Sequence, residues 1–241
     1  MTLLRDAELS AAFDRAAVSY DRLVAADPGY HSHVRRSARR LGLADDGRGR
    51  RLLDLGCGTG ASTAALLAAA PHADIVAVDA SPGMLERAAA KSWPRNVSFV
   101  HAPAERLVGE AVRGTFDAVF AAYLFRNVGD PDGVLARVRR LLAPGGRIGV
   151  HEYTLAGGRT HRALWTAVCR TLVMPAGRLA GDGPLYRHLW RSVLEFDTAP
   201  AFAGRLRRAG FTGVRALPLP GWQTGICHTF VGRAPGAGTG F

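Results

Sequence analysis

The sequence is short of cysteine, of acidic residues and of long apolar runs, and each shortage closes off a class of protein. Its three cysteines, Cys57, Cys169 and Cys227, stand far apart with no Cys-x-x-Cys spacing. That argues against a disulfide framework and a structural zinc site; no metal is expected, and a reducing, cytoplasmic setting fits. The most lipophilic stretch, 163–179, is interrupted by Arg170, Pro175 and Gly177. It falls short of the roughly 20 apolar residues of a membrane span and reads as buried or interfacial. From Met1 the chain reaches Arg5 and Asp6 before any apolar core of a secretory signal builds up, so export is not expected.

Asp and Glu number 20 against 31 Lys and Arg, a formal net charge of +11. Such an excess suits nucleic acid or an anionic membrane surface. The chain is also rich in Arg and Ala throughout, a bias that a GC-rich genome produces, and charge bears on association before fold. At 241 residues with 48% hydrophobic content there is material for one sizeable core, and a single domain over 1–233 is expected.

Apolar positions Leu9, Phe13, Ala16, Ala17 and Tyr20 recur at helical spacing over 6–24, and Val34, Ala38 and Leu41 share a face of a second helix; together 1–44 form a helical cap. Arg35, Arg36, Arg39 and Arg40 fill the rest of that second helix, which makes it either a solvated face or a basic surface for anionic lipid. Beyond a Gly-rich hinge, short apolar runs at 51–55, 75–79, 97–101, 116–122 and 147–153 alternate with helices, the pattern of βαβ units and a parallel sheet. Ser81-Pro82 and Asp130-Pro131 each place a capping side chain before a proline at the first helical position. Two more strands near 214–217 and 226–231 fall in the closing segment 204–233, and the Gly/Pro-rich tail 234–241 is expected to be disordered. The segment 155–203 leaves the fifth strand of the core (51–154) with helical spacing. At the carboxyl ends of such strands an insertion is placed to act as a lid.

The strongest signal is Leu52 to Gly60, a strand running into Gly56-Cys57-Gly58-Thr59-Gly60 and then into a helix. Alternate glycines let the backbone turn tightly and approach a ligand, and the helix amino terminus offers free N–H groups. Asp79 ends the next strand, where a carboxylate can accept hydrogen bonds from ribose hydroxyls. The spacing also satisfies a loose dinucleotide fingerprint. Asp54, just before the loop, speaks for S-adenosylmethionine instead, because an acid there repels a pyrophosphate and attracts the ammonium of a methionine moiety.

The chain resembles class I methyltransferases and, within them, the ubiquinone/menaquinone-biosynthesis C-methyltransferases. The segments that carry the likeness are 13–23, the glycine loop, Ser81 to Leu85, Phe116 to Val119, Phe125-Arg126-Asn127-Val128, Leu142 to Arg147 and Gly225 to His228. The resemblance implies an α/β, Rossmann-like doubly wound sheet of seven strands in the order 3-2-1-4-5-7-6, the last antiparallel, with amino-terminal helices and a helical lid. It also implies that Gly56, Gly58 and Gly60, with Cys57 and Thr59 between them, hold the methionine part. Asp79 and Ala80 would take the ribose, Met84 one adenine face and Ala104 the adenine edge, with Ala121 beside the methionine part and Tyr20 closing the pocket. Pro103 stands where the family usually has an Asp that receives the adenine amino group, and Glu105 is the nearest alternative acceptor.

Methyl transfer is an in-line displacement at a sulfonium carbon, so the enzyme positions the acceptor and removes a proton from it. His151 is the expected base, from its ordinary pKa and its place at the end of the fifth strand beside Glu152, although only one of two successive strand residues faces the site. By the family pattern Arg126 and Asn127 orient the acceptor and a water; their simpler reading is that they cap the turn before Asp130. Tyr186, His188 and Trp190 either line an acceptor pocket or are core. The acceptor is expected to be a small lipophilic phenol or quinol, methylated on carbon or oxygen. An isoprenoid tail would bring the protein to a membrane surface as a peripheral contact. Nucleic acid is not expected as substrate, since 121–127 lacks an Asn/Asp-Pro-Pro-Tyr/Phe segment. A non-methylating protein using the same cofactor, and both monomer and homodimer, remain open.

Overall fold

Apolar strands joined by helices cannot pair as hairpins, so parallel pairing with right-handed crossovers is the arrangement open to them. The structure, a computed structural model, describes residues 6–25, 29–107, 112–179 and 183–236, with the side chains of 6–7, 18–20, 22–25, 176 and 179 left aside. Helices α1 (Asp6–Ala25) and α2 (Tyr30–Arg39) precede β1 (Arg51–Leu55), α3 (Ala61–Ala69), β2 (Asp74–Asp79), α4 (Pro82–Ala89) and β3 (Val97–His101). Then come β4 (Phe116–Ala122), α5 (Pro131–Leu141), β5 (Leu142–Tyr153), α6 (Arg159–Val168), a π turn (Cys169–Val173), α7 (Met174–Leu179) and α8 (Gly183–Glu195). The chain ends with α9 (Ala199–Arg208), β6 (Thr212–Pro218) and β7 (Cys227–Arg233).

The strands form one sheet in the order β3-β2-β1-β4-β5-β7-β6. The first five are parallel, and β7 runs antiparallel to both β5 and β6. After β3 the chain returns across the sheet to lay β4 beside β1, and a crevice opens at that switch point outside the carboxyl ends of the two strands. Alternation along each strand divides the core. Leu53, Leu55 and Val119 pack under Val134, Val138, Phe202 and Leu206, whereas Leu52, Ile75 and Phe120 pack under Val34, Ala38, Leu66 and Trp165. The two caps form as expected: Ser81 Oγ accepts from the Met84 N–H at 3.1 Å, and Asp130 from the Gly133 N–H at 2.9 Å.

Besides shifts of one or two residues at the ends of β6 and β7, three boundaries differ from the sequence reading. β5 begins at Leu142, not Arg147, because Pro144 to Gly146 is an irregularity inside the strand, across which the register with β4 shifts. That irregularity also ties down the start of the tail. Gly145 N–H donates to the Pro235 carbonyl at 3.1 Å and Ala234 N–H to that of Gly146 at 2.8 Å; Ala234 is buried, and 237–241 lie outside the described residues. Within 155–203, α6, the π turn and α8 reach the core through Trp165, Cys169 and Val193. α9 begins at Ala199 and buries Phe202 and Leu206 against the core, so it belongs to the helical layer. α8 also packs Leu185 and Tyr186 on Leu9, Ala12 and Ala16 of α1.

Candidate active site

The glycine loop turns through three left-handed residues, Gly56 (φ +74), Gly58 (φ +54) and Gly60 (φ +94). What surrounds each differs. A side chain at Gly60 would meet the Trp93 ring at 2.7 Å, while one at Gly58 would project into open space. Gly60 is therefore needed by packing, and Gly58 keeps a cavity clear. Gly60→Ala is expected to destabilise the fold by about 1–3 kcal/mol. Gly58→Ala should cost only about 1 kcal/mol, for its positive φ, yet fill ligand space. Urea midpoints for both variants, with a ligand titration of Gly58→Ala, check the contrast.

Asp79 builds the loop from the side. Its Oδ2 accepts from the Gly58 N–H at 2.7 Å and its Oδ1 from the Ser81 N–H at 2.9 Å. Burial pushes its carboxyl above the usual range, against the pull of these backbone donors. Asp54 lies beneath, fully buried, with Oδ2 accepting from Ser62 Oγ (2.8 Å) and Thr63 Oγ1 (2.6 Å). Its Oδ1 has no partner among the described residues. Burial raises its pKa to about 7, helped by the nearby Asp79 and opposed by the Thr63 and Ser62 hydroxyls. Helix α1 closes the loop from above: Ser10 Oγ donates to the Ala80 carbonyl, and Asp14 Oδ1 accepts from Ser81 Oγ at 2.5 Å and from the Gly83 N–H at 3.0 Å.

Between these parts lies a cavity of about 610 Å³, walled by Leu9 and Phe13 of α1, by Gly56, Gly58, Asp79, Ala80 and Met84, and by 101–106, 122–124 and 126–128. Met84, Ala104 and Glu105 therefore face it, as does Pro103. Ala121 does not: it is buried in the sheet between Leu55 and Val150, and its neighbours Ala122 to Leu124 line the wall instead. Cys57 packs with Ala77 and Leu85 behind the loop. Thr59 is turned away, donating to Asp21 at 2.6 Å. Tyr20 lies within α1, but its side chain is outside the described residues.

The wall after β4, which meets the loop where Leu124 lies against Gly56, is a polar knot. Tyr123 takes a left-handed conformation, φ +57, at the end of β4, and its carbonyl accepts from both Arg126 Nη1 and Asn127 Nδ2 at 2.9 Å. Glu152, fully buried on β5, pairs with Arg126 Nη1 at 2.5 Å, and its other oxygen receives the Arg126 N–H at 3.3 Å. Burial pushes the Glu152 carboxyl up and the Arg126 cation opposes it. From α8, His188 Nε2 lies 2.9 Å from Asn127 Oδ1. With Nδ2 committed to Tyr123, that oxygen can only accept, so His188 carries its proton on Nε2. Burial and the nearby Arg126 hold the His188 pKa down to about 4. Arg126 to Val128 also border a second cavity of about 220 Å³, closed by His188, Ser192 and Phe196. Of the aromatic trio in the covering segment, only His188 reaches it. Tyr186 packs on α1, and Trp190 lies under Arg170.

His151 is not where a base is needed. It faces away from the cavity, fully buried, with Nδ1 at 2.8 Å from Ser37 Oγ of α2 and Nε2 at 3.7 Å from Cys227 Sγ. Burial, with His33, Arg126 and Arg40 nearby, lowers its pKa from 6.5 to about 3. The folded state thus holds it neutral while the unfolded chain protonates first. The stability it contributes above pH 6.5 is lost as pH falls toward about 3, at up to about 1.4 kcal/mol per pH unit. His151→Asn is expected to show a shallower acid loss by that one proton, read from urea midpoints between about pH 7 and 5. An unchanged slope would contradict the assignment.

With this geometry in view, the comparisons with known proteins are decisive. The model of the ubiE/COQ5 methyltransferase family matches residues 1–233. The chain belongs to the ubiE/COQ5 methyltransferase family. It is 35% identical over 215 residues to a ubiquinone/menaquinone biosynthesis C-methyltransferase UbiE of Syntrophotalea carbinolica, covering 87% of this chain and 88% of that protein. It is 33% identical over 187 residues to a demethylmenaquinone methyltransferase of Thermus thermophilus, covering 76% and 84%. Among solved structures, phosphoethanolamine N-methyltransferase 2 of Haemonchus contortus matches with a TM-score of 0.64 at 16% identity, over 92% of this chain and 57% of that one; this likeness concerns the fold. A member of the ubiE/COQ5 family is an enzyme, an S-adenosylmethionine-dependent methyltransferase, and the non-methylating reading falls away.

The residues present fit that donor. The open space above Gly58, on the cavity wall, leaves room for an amino-acid moiety, and Asp54, buried beneath the loop and not itself on the wall, sets a carboxyl with one unpartnered oxygen behind it. Met84 and Pro103 offer apolar surface at the other end of the cavity. The sequence reading missed Ser10 and Asp14 and, of the pair on β5, chose His151 over Glu152. A polar stripe on an amphipathic helix and an acid inside an apolar strand were the signals available for them.

Proposed function

We propose that the cavity holds S-adenosylmethionine along the glycine loop and that the enzyme methylates a ring carbon of a small lipophilic quinol, in quinone biosynthesis. The observation that carries this reading is the Arg126–Asn127 pair on the cavity wall, clamped by Glu152, Tyr123 and His188. The names of the relatives at 35% and 33% identity support the quinone class and transfer to carbon.

When bound, S-adenosylmethionine supplies an electrophilic methyl group on a sulfonium. The chain's own residues supply position and charge. Asp79 shapes the loop through Gly58 and Ser81 and offers its carboxylate to the ribose. Asp54 answers the ammonium. Met84, Ala104 and Glu105 bound the adenine end, where Pro103 has no side-chain acceptor. Arg126, held in place by Glu152, sets a fixed donor against an acceptor oxygen and favours its phenolate, which makes the neighbouring ring carbon nucleophilic. Asn127 orients the same oxygen. In this reading no proton passes through His151. The enzyme works in the cytoplasm at the membrane surface, where an isoprenoid-tailed quinol resides.

Incubation with labelled S-adenosylmethionine and a panel of quinols, phenols and small amines tests the reading. Label is expected in the quinols. Label confined to amines would overturn it.

A further inference from the structure

Among the described residues three large apolar side chains are well exposed, Leu164 (44%), Leu172 (67%) and Trp222 (40%). Two of them stand on the run from α6 through the π turn to α7. The inner side of that run is anchored, since Trp165 and Cys169 are buried in the core under the sheet. Its outer side exposes Ala163, Leu164, Ala167, Leu172 and Pro175. The charged residues along it are Arg159, Arg162, Arg170 and Arg178, all exposed, and no Asp or Glu occurs from 153 to 181. Leu164 and Leu172 are eight residues apart, which in an ideal α-helix leaves them about 80° out of line. The wide turn between them underwinds the helix and reduces that offset.

Trp222 belongs to the same neighbourhood. Its turn runs on to Gly225, which sits against the His161 ring of α6 and accepts from the Ala156 N–H at 2.8 Å. The same turn is tied to α2, where His33 Nδ1 meets Gln223 Oε1 at 3.0 Å. From α2 come the exposed Arg35, Arg36 and Arg39.

An apolar strip fringed by arginine, with no acid along its own length, is what an interfacial helix presents to anionic lipid: leucine and tryptophan enter the headgroup boundary while guanidinium groups meet the phosphates. We propose that the outer face of α6, the π turn and α7, with Trp222 beside it, docks this protein onto an anionic bilayer. The inference deepens the proposed function by giving a tailed acceptor a surface to be taken from, and it rests on that reading for its purpose only. A covered protein interface would not require the exclusion of acid over so long a stretch.

Sedimentation with phosphatidylcholine vesicles, with and without phosphatidylglycerol, tests it on the full chain without any acceptor. Binding is expected at low salt with phosphatidylglycerol present, and weakly or not at all without it. Leu164→Gln combined with Leu172→Gln should weaken it by about tenfold or more, while methyl transfer to a detergent-dispersed short-tailed quinol stays unchanged. Replacing Arg35, Arg36 and Arg39 with glutamine should weaken it less and mainly at low salt. Wild-type protein that ignores anionic vesicles, or a double-leucine variant that binds as well as wild type, would overturn the proposal. So would a change of oligomeric state in that variant without loss of vesicle binding, which would make the face a contact between copies. Since vesicle binding and methyl transfer are read separately, failure of one leaves the other standing.

Discussion

Glu152→Leu will lower the unfolding free energy by about 3–5 kcal/mol, because it strands a guanidinium inside the protein. Arg126 has a side chain only 6% exposed and lies against the Tyr123 and Tyr153 rings at 5.3 and 5.6 Å. In that setting its cation depends on Glu152. Without the carboxylate the guanidinium either stays buried without its counter-charge or swings toward solvent, drawing the 123–128 segment with it. Methyl transfer should fall with stability. The double variant Arg126→Leu/Glu152→Leu separates the causes: replacing both charges should recover most of the lost stability, since an apolar pair of similar volume often matches a buried ion pair, while transfer stays lost. Chemical denaturation of wild type, single and double variants reads the first effect. A double variant as unstable as the single one would mean that packing, and not the loss of the counter-charge, sets the cost.

The second large effect is on the cofactor. In the proposed binding mode, Asp79→Ala should weaken S-adenosylmethionine binding by about 100-fold or more, because it would remove a charged acceptor for the ribose, worth about 1.5–3 kcal/mol, and it frees the N–H groups of Gly58 and Ser81 that Asp79 holds. Loss of those two bonds lets the loop relax where Gly58 must stay close to the ligand. Asp79→Asn keeps one acceptor and should lie between. Titration calorimetry with the three proteins gives the order directly. Binding within about threefold of wild type in the alanine variant would remove Asp79 from the site.

How far the sequence carries depends on how local each feature's cause is. β1 to β4 and the caps at Ser81 and Asp130 are dictated by neighbours within a few residues, so their spans agree with the structure to within a residue. The glycine loop is local in the same sense. The choice between His151 and Glu152 is not. Alternation along β5 says that only one of them faces the crevice, but which one is decided by Ser37, 114 residues away on α2, and by Arg126 on the opposite strand's loop. A histidine next to an acid invites the catalytic reading, whereas the fold uses the histidine as a buried hydrogen-bonding core residue. Ala121 misses the wall for a related reason: the strand still has the pleat there, and the chain turns into the cavity only at Ala122 and Tyr123. The closing of α1 over the loop by Ser10 and Asp14 joins residues about 70 apart. Helical periodicity placed that helix without showing what it would cover. The tail misleads by composition, because Gly and Pro argue for disorder while Ala234 and Pro235 are fastened by the irregularity in β5.

The most direct measurement for the central claim is the identity of the methylated atom. Purified enzyme, ¹³C-methyl S-adenosylmethionine and demethylmenaquinol are incubated together and the product is examined by carbon NMR. The expected result is a methyl signal in the range of an aromatic ring methyl, lost with Arg126→Ala while S-adenosylmethionine still binds. A signal in the methoxy range, or no labelled quinol although the cofactor binds, would contradict it.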